Sequence, residues 1–131
     1  MTSAAKIRAA ATRILGRMDA FKAGLAAPGT TDGIGVYDAL GGPGPVWITA
    51  KAVLVPHEHT HEALSYVNMR EIHAPDSKEK ANPETGRVRI VLDDGRTRTL
   101  SIVGGRGRFS DSFEFARFLA RASKFAHEQA P

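Results

Sequence analysis

Residues 87–103 read RVRIVLDDGRTRTLSIV, and this stretch decides the kind of fold to expect. Two runs with strand-like alternation, Arg87–Leu92 and Thr97–Val103, flank Asp93-Asp94-Gly95-Arg96. Asp-Gly supplies the positive-φ positions that a tight hairpin needs, so the two runs predict antiparallel neighbours. An antiparallel sheet buries one face and needs a cover for it. Immediately downstream, residues 112–128 predict a helix. Asp111 with Glu114 forms an acidic variant of the capping box. Phe115, Phe118, Leu119, Ala122 and Phe125 fall on one helical face, with Phe109 and Phe113 just before and inside its start. That face is the cover.

Upstream, Val46–Val55 (VWITAKAVLV) predicts one continuous strand with Ile48, Ala50, Ala52 and Leu54 on one side and Trp47, Thr49, Lys51 and Val53 on the other. A polar loop, Pro56–Glu62, leads to a second strand, Ala63–His73. Ile34–Leu40 predicts a short first strand. Gly41-Gly42-Pro43-Gly44-Pro45 predicts a turn, and residues 75–86 a solvated loop. Residues 3–26 predict a helix capped by Ser3. Its stripe is Ile7, Ala11, Ile14, Met18, Phe21 and Leu25, in steps of four and three, and Gly24 and Pro28-Gly29 end it. The expected organisation is an N-terminal amphipathic helix over 1–27 and a body over 28–131. The expected fold class is α+β: an N-terminal helix, an antiparallel curved sheet or barrel, and a C-terminal capping helix.

The chain has 131 residues, 42% hydrophobic and 24% charged, which suits one globular domain. There is no cysteine, which excludes disulfides, thiol catalysis and cysteine–zinc sites and accords with a cytoplasmic location. No run reaches the roughly 18 apolar residues of a membrane span. Arg8, Arg13 and Arg17 interrupt any signal-peptide core. The wealth of Ala, Arg and Gly suggests a bacterial source. Lys6, Arg8, Arg13, Arg17 and Lys22 stand against Asp19 alone, so the formal excess of +4 sits in the first 26 residues. The remainder is neutral overall, which makes a nucleic-acid partner unlike this chain.

The order VWITAKAVLV (46–55), ALSYVNMREI (63–72), VRIVLDDGRTRTLSIVG (88–104) and SFEFARFLARA (112–122) resembles a pleckstrin-homology-like domain of the bacterial or GRAM type. The resemblance covers about Val46–Phe125 and includes the step Met69-Arg70-Glu71-Ile72. It implies an orthogonally packed antiparallel barrel of about seven strands, plugged by the closing helix. In that family the basic lipid-binding loop joins the first two strands. The matching loop here, Gly41–Pro45, has neither Lys nor Arg.

Several groups of side chains invite a chemical reading. His57, His59 and His61 alternate in His-Glu-His-Thr-His-Glu. If extended, they point one way at spacings of about 6–7 Å, a candidate zinc set for a small metal-dependent enzyme, against a plain solvated loop. Arg106 and Arg108 in Gly-Gly-Arg-Gly-Arg, before a helix start, are candidate anion binders. The stretch lacks the Lys-Ser/Thr of a P-loop, so no nucleotide cofactor is expected. Ser110-Asp111-Ser112 shows no triad spacing with His73 or His127, and Asp93-Asp94 reads as hairpin chemistry. The chain is therefore expected to be no enzyme but a binding or scaffolding module. Its partner is expected to be a protein or a second copy in a homo-oligomer, met through Ile7, Ile14, Met18 and Phe21. The alternatives are packing of that stripe on the chain's own sheet and docking of the basic helix on an anionic membrane.

Overall fold

A computed structural model describes residues 2–27, 32–39, 44–74, 86–104 and 111–129. The fold is α+β, with a helix at each end of two antiparallel sheets. Helix α1 spans Ser3–Ile14 and continues as a 3-10 turn, Leu15–Arg17. Among the described residues eight strands follow: β1 Phe21–Ala23, β2 Gly33–Tyr37, β3 Val46–Thr49, β4 Ala52–His57, β5 Thr60–Ser65, β6 Met69–His73, β7 Arg87–Leu92 and β8 Thr97–Ser101. Helix α2, Asp111–Gln129, closes the chain. Strands β1 to β5 form one meander and β6 to β8 a second, with no ladder joining the two sheets among the described residues.

The hairpin of β7 and β8 forms as the Asp-Gly signal requires, with Gly95 at φ 88° and the Gly95 N–H donating to the Leu92 carbonyl. Alternation then sorts the side chains. Val88, Ile90 and Leu100 face the core, while Arg87, Arg89, Thr97, Thr99 and Ser101 face outward. Helix α2 buries Phe115, Phe118, Leu119 and Ala122 as its periodicity dictates. Phe118 meets Tyr66 and Phe115 edge to face, at ring separations of 6.0 and 6.3 Å.

Four expectations need correction. First, Val46–Val55 is two strands. The Thr49 hydroxyl accepts the Lys51 and Ala52 N–H groups at 3.1 and 2.9 Å and donates to the Ala52 carbonyl, folding the chain back at Ala50-Lys51. Ile48 therefore shares the core face with Val53, its register partner, while Trp47 and Leu54 lie on the other face. Second, residues 56–62 are no loop but the hairpin of β4 and β5, turning at Glu58-His59 with Glu58 at φ 54°. Third, Ala63–His73 breaks at a 3-10 turn, Tyr66–Asn68, which moves the chain from one sheet to the other. Tyr66 is wholly buried there, its hydroxyl donating to the Thr49 carbonyl at 2.8 Å.

Fourth, the N-terminal helix is shorter than its stripe. It is capped by Thr2 rather than Ser3, and Phe21 belongs to β1, opposite Tyr37. Gly24 at φ 82° ends β1, and Leu25 is exposed. Ile7, Ile14, Met18 and Phe21 are all buried in one cluster with Phe115, Phe118 and both sheets. Residues 2–27 thus give the larger sheet an edge strand and the core a second helix.

The two sheets cross. Phe21, Tyr37 and Val46 are register partners across β1, β2 and β3, and Val55 and Glu62 across β4 and β5. Arg98 at one end of β8 bonds Glu62, Thr99–Ser101 line a cleft with Val46 and Val55, and the Gly104 N–H beyond β8 donates to the Tyr37 hydroxyl. β8 and its continuation thus run across the strands of the larger sheet, an orthogonal packing.

Candidate functional site

A buried node fixes the start of α2. The Tyr37 hydroxyl donates to Asp111 Oδ2 at 2.8 Å and accepts the Gly104 N–H at 3.0 Å, while the Asp111 N–H donates to the Gly104 carbonyl. The Tyr37 ring stands edge-on to Phe115. Burial, then the Asp111 carboxylate, pushes the Tyr37 hydroxyl well above the ordinary phenol range. Burial raises the Asp111 carboxyl, with the Tyr37 hydrogen bond opposing and Asp19 adding. These groups tie β2, the end of β8 and α2 together. Asp111 is thus more than a cap, and its side chain points to Tyr37 rather than to a nucleophile.

The mouth between the sheets is closed by one ion pair. Arg98 Nε and Nη2 donate to Glu62 Oε1 and Oε2 at 2.7 and 3.0 Å. The Arg98 hydrogen bonds hold the Glu62 carboxyl below its ordinary value. A cleft of about 290 Å³ lies on one side, lined by β5 and the β7–β8 turn, and one of about 210 Å³ on the other. Two of the edge strands, β5 and β8, thus carry an inward-pointing charge, a device that discourages edge-to-edge pairing.

The histidines do not gather. Their hairpin reverses between His57 and His61: His57 pairs with Thr60, and His61 pairs with Pro56 and reaches the Pro45 carbonyl at 3.3 Å. Among the described residues no group of three or more His, Cys, Asp or Glu side chains is placed to hold a metal ion. Arg106 and Arg108 lie outside the described residues.

The helix layer presents a different surface. Lys6 Nζ lies 3.5 Å from Glu128 and 5.6 Å from the centre of the Phe125 ring, so α1 begins beside the end of α2. The turn that ends α1 also packs on α2, so the helices run antiparallel. Residues seven apart share a helical stripe. Arg13 therefore lies in line with Lys6, and Arg121 in line with Glu128, and the Lys6–Glu128 pair sets these stripes face to face across the helix–helix groove. Arg117, Arg121 and Lys124 follow at one-turn steps along exposed α2, and Arg17 is exposed in the turn after α1. Glu114 pairs with Arg117 and Glu128 with Lys6. Arg13, Arg17, Arg121 and Lys124 have no ion-pair partner among the described residues. Arg8 points elsewhere, toward the Gly33 carbonyl.

The α2 cations were missed from sequence because residues 27–131 sum to neutrality. Their spacing of four and three on the polar side of a predicted helix was the available signal.

No protein-family model, curated protein or solved structure matches the chain. Among the described residues no helix is long and apolar enough to cross a membrane.

Proposed function

We propose that this chain is a non-catalytic binding module with a pleckstrin-homology-like body that docks peripherally on anionic membrane surfaces through its helix layer. The observation that carries the reading is the row of exposed cations along α1 and α2, interrupted among the described residues by Glu114 and Glu128. Two crossing antiparallel sheets closed by one helix support the choice of body. Charge complementarity favours the cytoplasmic leaflet of a bacterial cell, whose anionic lipids attract basic segments.

A protein partner or second copy held by Ile7, Ile14, Met18 and Phe21 is disfavoured, because these side chains are within the chain's own core. Insertion of an amphipathic α1 into lipid is disfavoured for the same reason. What remains available on the helices is charge.

Co-sedimentation of the full chain with vesicles tests the reading. Phosphatidylcholine vesicles containing phosphatidylserine should carry the protein down at low salt and release it at high salt. The variant R13E/R121E/K124E, checked for an unchanged melting curve, should stay in solution. Equal sedimentation with pure phosphatidylcholine, or binding that survives the charge reversal, rejects the proposal.

A further inference from the structure

We infer, on the basis of that reading, that Arg13 and Arg121 clamp a phosphomonoester headgroup between them, from opposite walls of the groove between α1 and α2. The ligand class is a membrane lipid that ends in a free phosphate, as phosphatidic acid does.

The groove supplies its own gauge of reach. Lys6 on α1 and Glu128 on α2 meet across it at 3.5 Å. Arg13 and Arg121 stand one heptad further along the same two stripes, and the helices run antiparallel, so they hold the equivalent pair of positions. The helices stay in contact over this distance, because the turn Leu15–Arg17 that follows Arg13 still packs on α2. At one level of the groove a base therefore meets an acid. At the next, two guanidinium groups face each other, and an anion shared between them turns repulsion into attraction. Each planar fork can hold phosphate oxygens bidentately. Lys124 adds a third charge beside them. It lies between Arg121 and Glu128 on α2, as Ala10 lies between Lys6 and Arg13 on α1, so the two face each other. Ala10 is buried and ends in a methyl group, which leaves room in the groove below Lys124.

Arg13, Arg121 and Lys124 are exposed, so the clamp opens onto the basic face that meets the bilayer. A phosphomonoester offers it three terminal oxygens and close to two negative charges near neutral pH. A phosphodiester headgroup offers two free oxygens and one charge, and its headgroup alcohol stands in the way. Lysine in place of arginine keeps the charge but loses the fork. Replacing either arginine by lysine should therefore erase the preference for a terminal phosphate and leave the general attraction to an anionic surface unchanged.

The test measures partitioning of the full chain and of R13K, R121K and R8K, each checked for an unchanged melting curve. The phosphatidylcholine vesicles contain either phosphatidic acid or phosphatidylglycerol, matched in electrophoretic mobility. The unaltered chain should prefer phosphatidic acid by about tenfold, the worth of bidentate bonds to a charged group. R13K and R121K should each bring the two compositions within about twofold, with binding to phosphatidylglycerol unchanged. R8K alters an arginine that points toward the Gly33 carbonyl and should keep the preference. Equal binding of both compositions by the unaltered chain overturns the inference and leaves membrane docking itself intact. So does a preference that survives in R13K or R121K, or one that R8K also loses. Failure of the unaltered chain to bind either composition overturns both the inference and the reading beneath it.

Discussion

Gly104→Ala probes the buried node at the start of α2. A methyl group on Gly104 would overlap the Asp111 carboxylate and lie 2.6 Å from the Tyr37 hydroxyl oxygen. Neither neighbour can swing away freely, because Tyr37 is wedged against Phe115 and both polar ends are buried. The substitution must therefore part the Tyr37–Asp111 hydrogen bond and strain the packing. Losing a hydrogen bond to a buried carboxylate costs about 1.5–3 kcal/mol. Overpacking a tight core costs about 1–3 kcal/mol more, so a loss of roughly 3–5 kcal/mol is expected. Tyr37→Phe removes the same bond without overpacking and should cost about 2–3 kcal/mol. In the double variant the hydroxyl that the methyl strikes is absent and its bond is already lost. The combined effect should then fall short of the sum by at least about 1 kcal/mol. Urea unfolding of the four proteins measures this cycle. Additive effects, or a Gly104→Ala protein within about half a kcal/mol of the parent, would falsify the geometry assigned to the node.

Thr49→Val keeps the shape of the side chain but removes the hydroxyl that folds β3 back onto β4. It should cost about 1–3 kcal/mol in urea unfolding, and an unchanged midpoint would mean the turn holds without it. Phe118→Ala empties the meeting point of Tyr66, Phe115 and both sheets and should cost about 3–5 kcal/mol; a loss under 1 kcal/mol would show that α2 is not the cover. Two of the perturbed carboxyls, Asp111 and Glu62, predict opposite pH responses. Asp111 has a raised folded-state pKa, so the folded state holds its proton more tightly. Its contribution to stability grows as pH falls through that pKa and is given up as pH rises. Glu62 has a lowered pKa, so its contribution is present above the unfolded value and lost as pH falls through the folded one. From neutral to acid pH, the parent should therefore gain stability relative to Asp111→Asn and lose it relative to Glu62→Gln; the opposite pattern in denaturation curves refutes the assignment.

The elements legible in the sequence are those whose signals are local and repeat. Strands β7 and β8 announce themselves through Asp94-Gly95 and alternation, and α2 through the spacing of Phe115, Phe118, Leu119 and Ala122. The turn at Ala50-Lys51 contains no Gly, Pro, Asn or Asp, and its chemistry lies in one threonine hydroxyl, which inside VWITAKAVLV looks like an ordinary strand residue. The break at Tyr66 is hidden for a related reason: a β-prone aromatic there serves as a buried pillar between the sheets. Phe21 satisfies two periods at once, three beyond Met18 on a helical stripe and the buried end of a short strand opposite Tyr37. Only the pairing with a residue 16 positions away decides between them. The Tyr37–Asp111 bond spans 74 positions and leaves no trace in a single sequence. The basic face was half visible: its α1 half dominates the charge count, while its α2 half cancels against acids elsewhere in the chain.

That division of the N-terminal segment also constrains how it can act. Ile7, Ile14 and Leu15 are fully buried, and each contributes roughly 1.5–3 kcal/mol by leaving water. A partner or bilayer that drew this stripe out would forfeit roughly 5–9 kcal/mol before making any contact. A domain of this size is typically stable by only about 5–15 kcal/mol, so such a mode of binding competes directly with folding. The flank that carries Lys6 and Arg13 contributes little to the core, so it can meet a charged surface with the fold intact. The same helix thus separates core packing from solvent exposure by angle around its axis, and its polar flank is the exposed part.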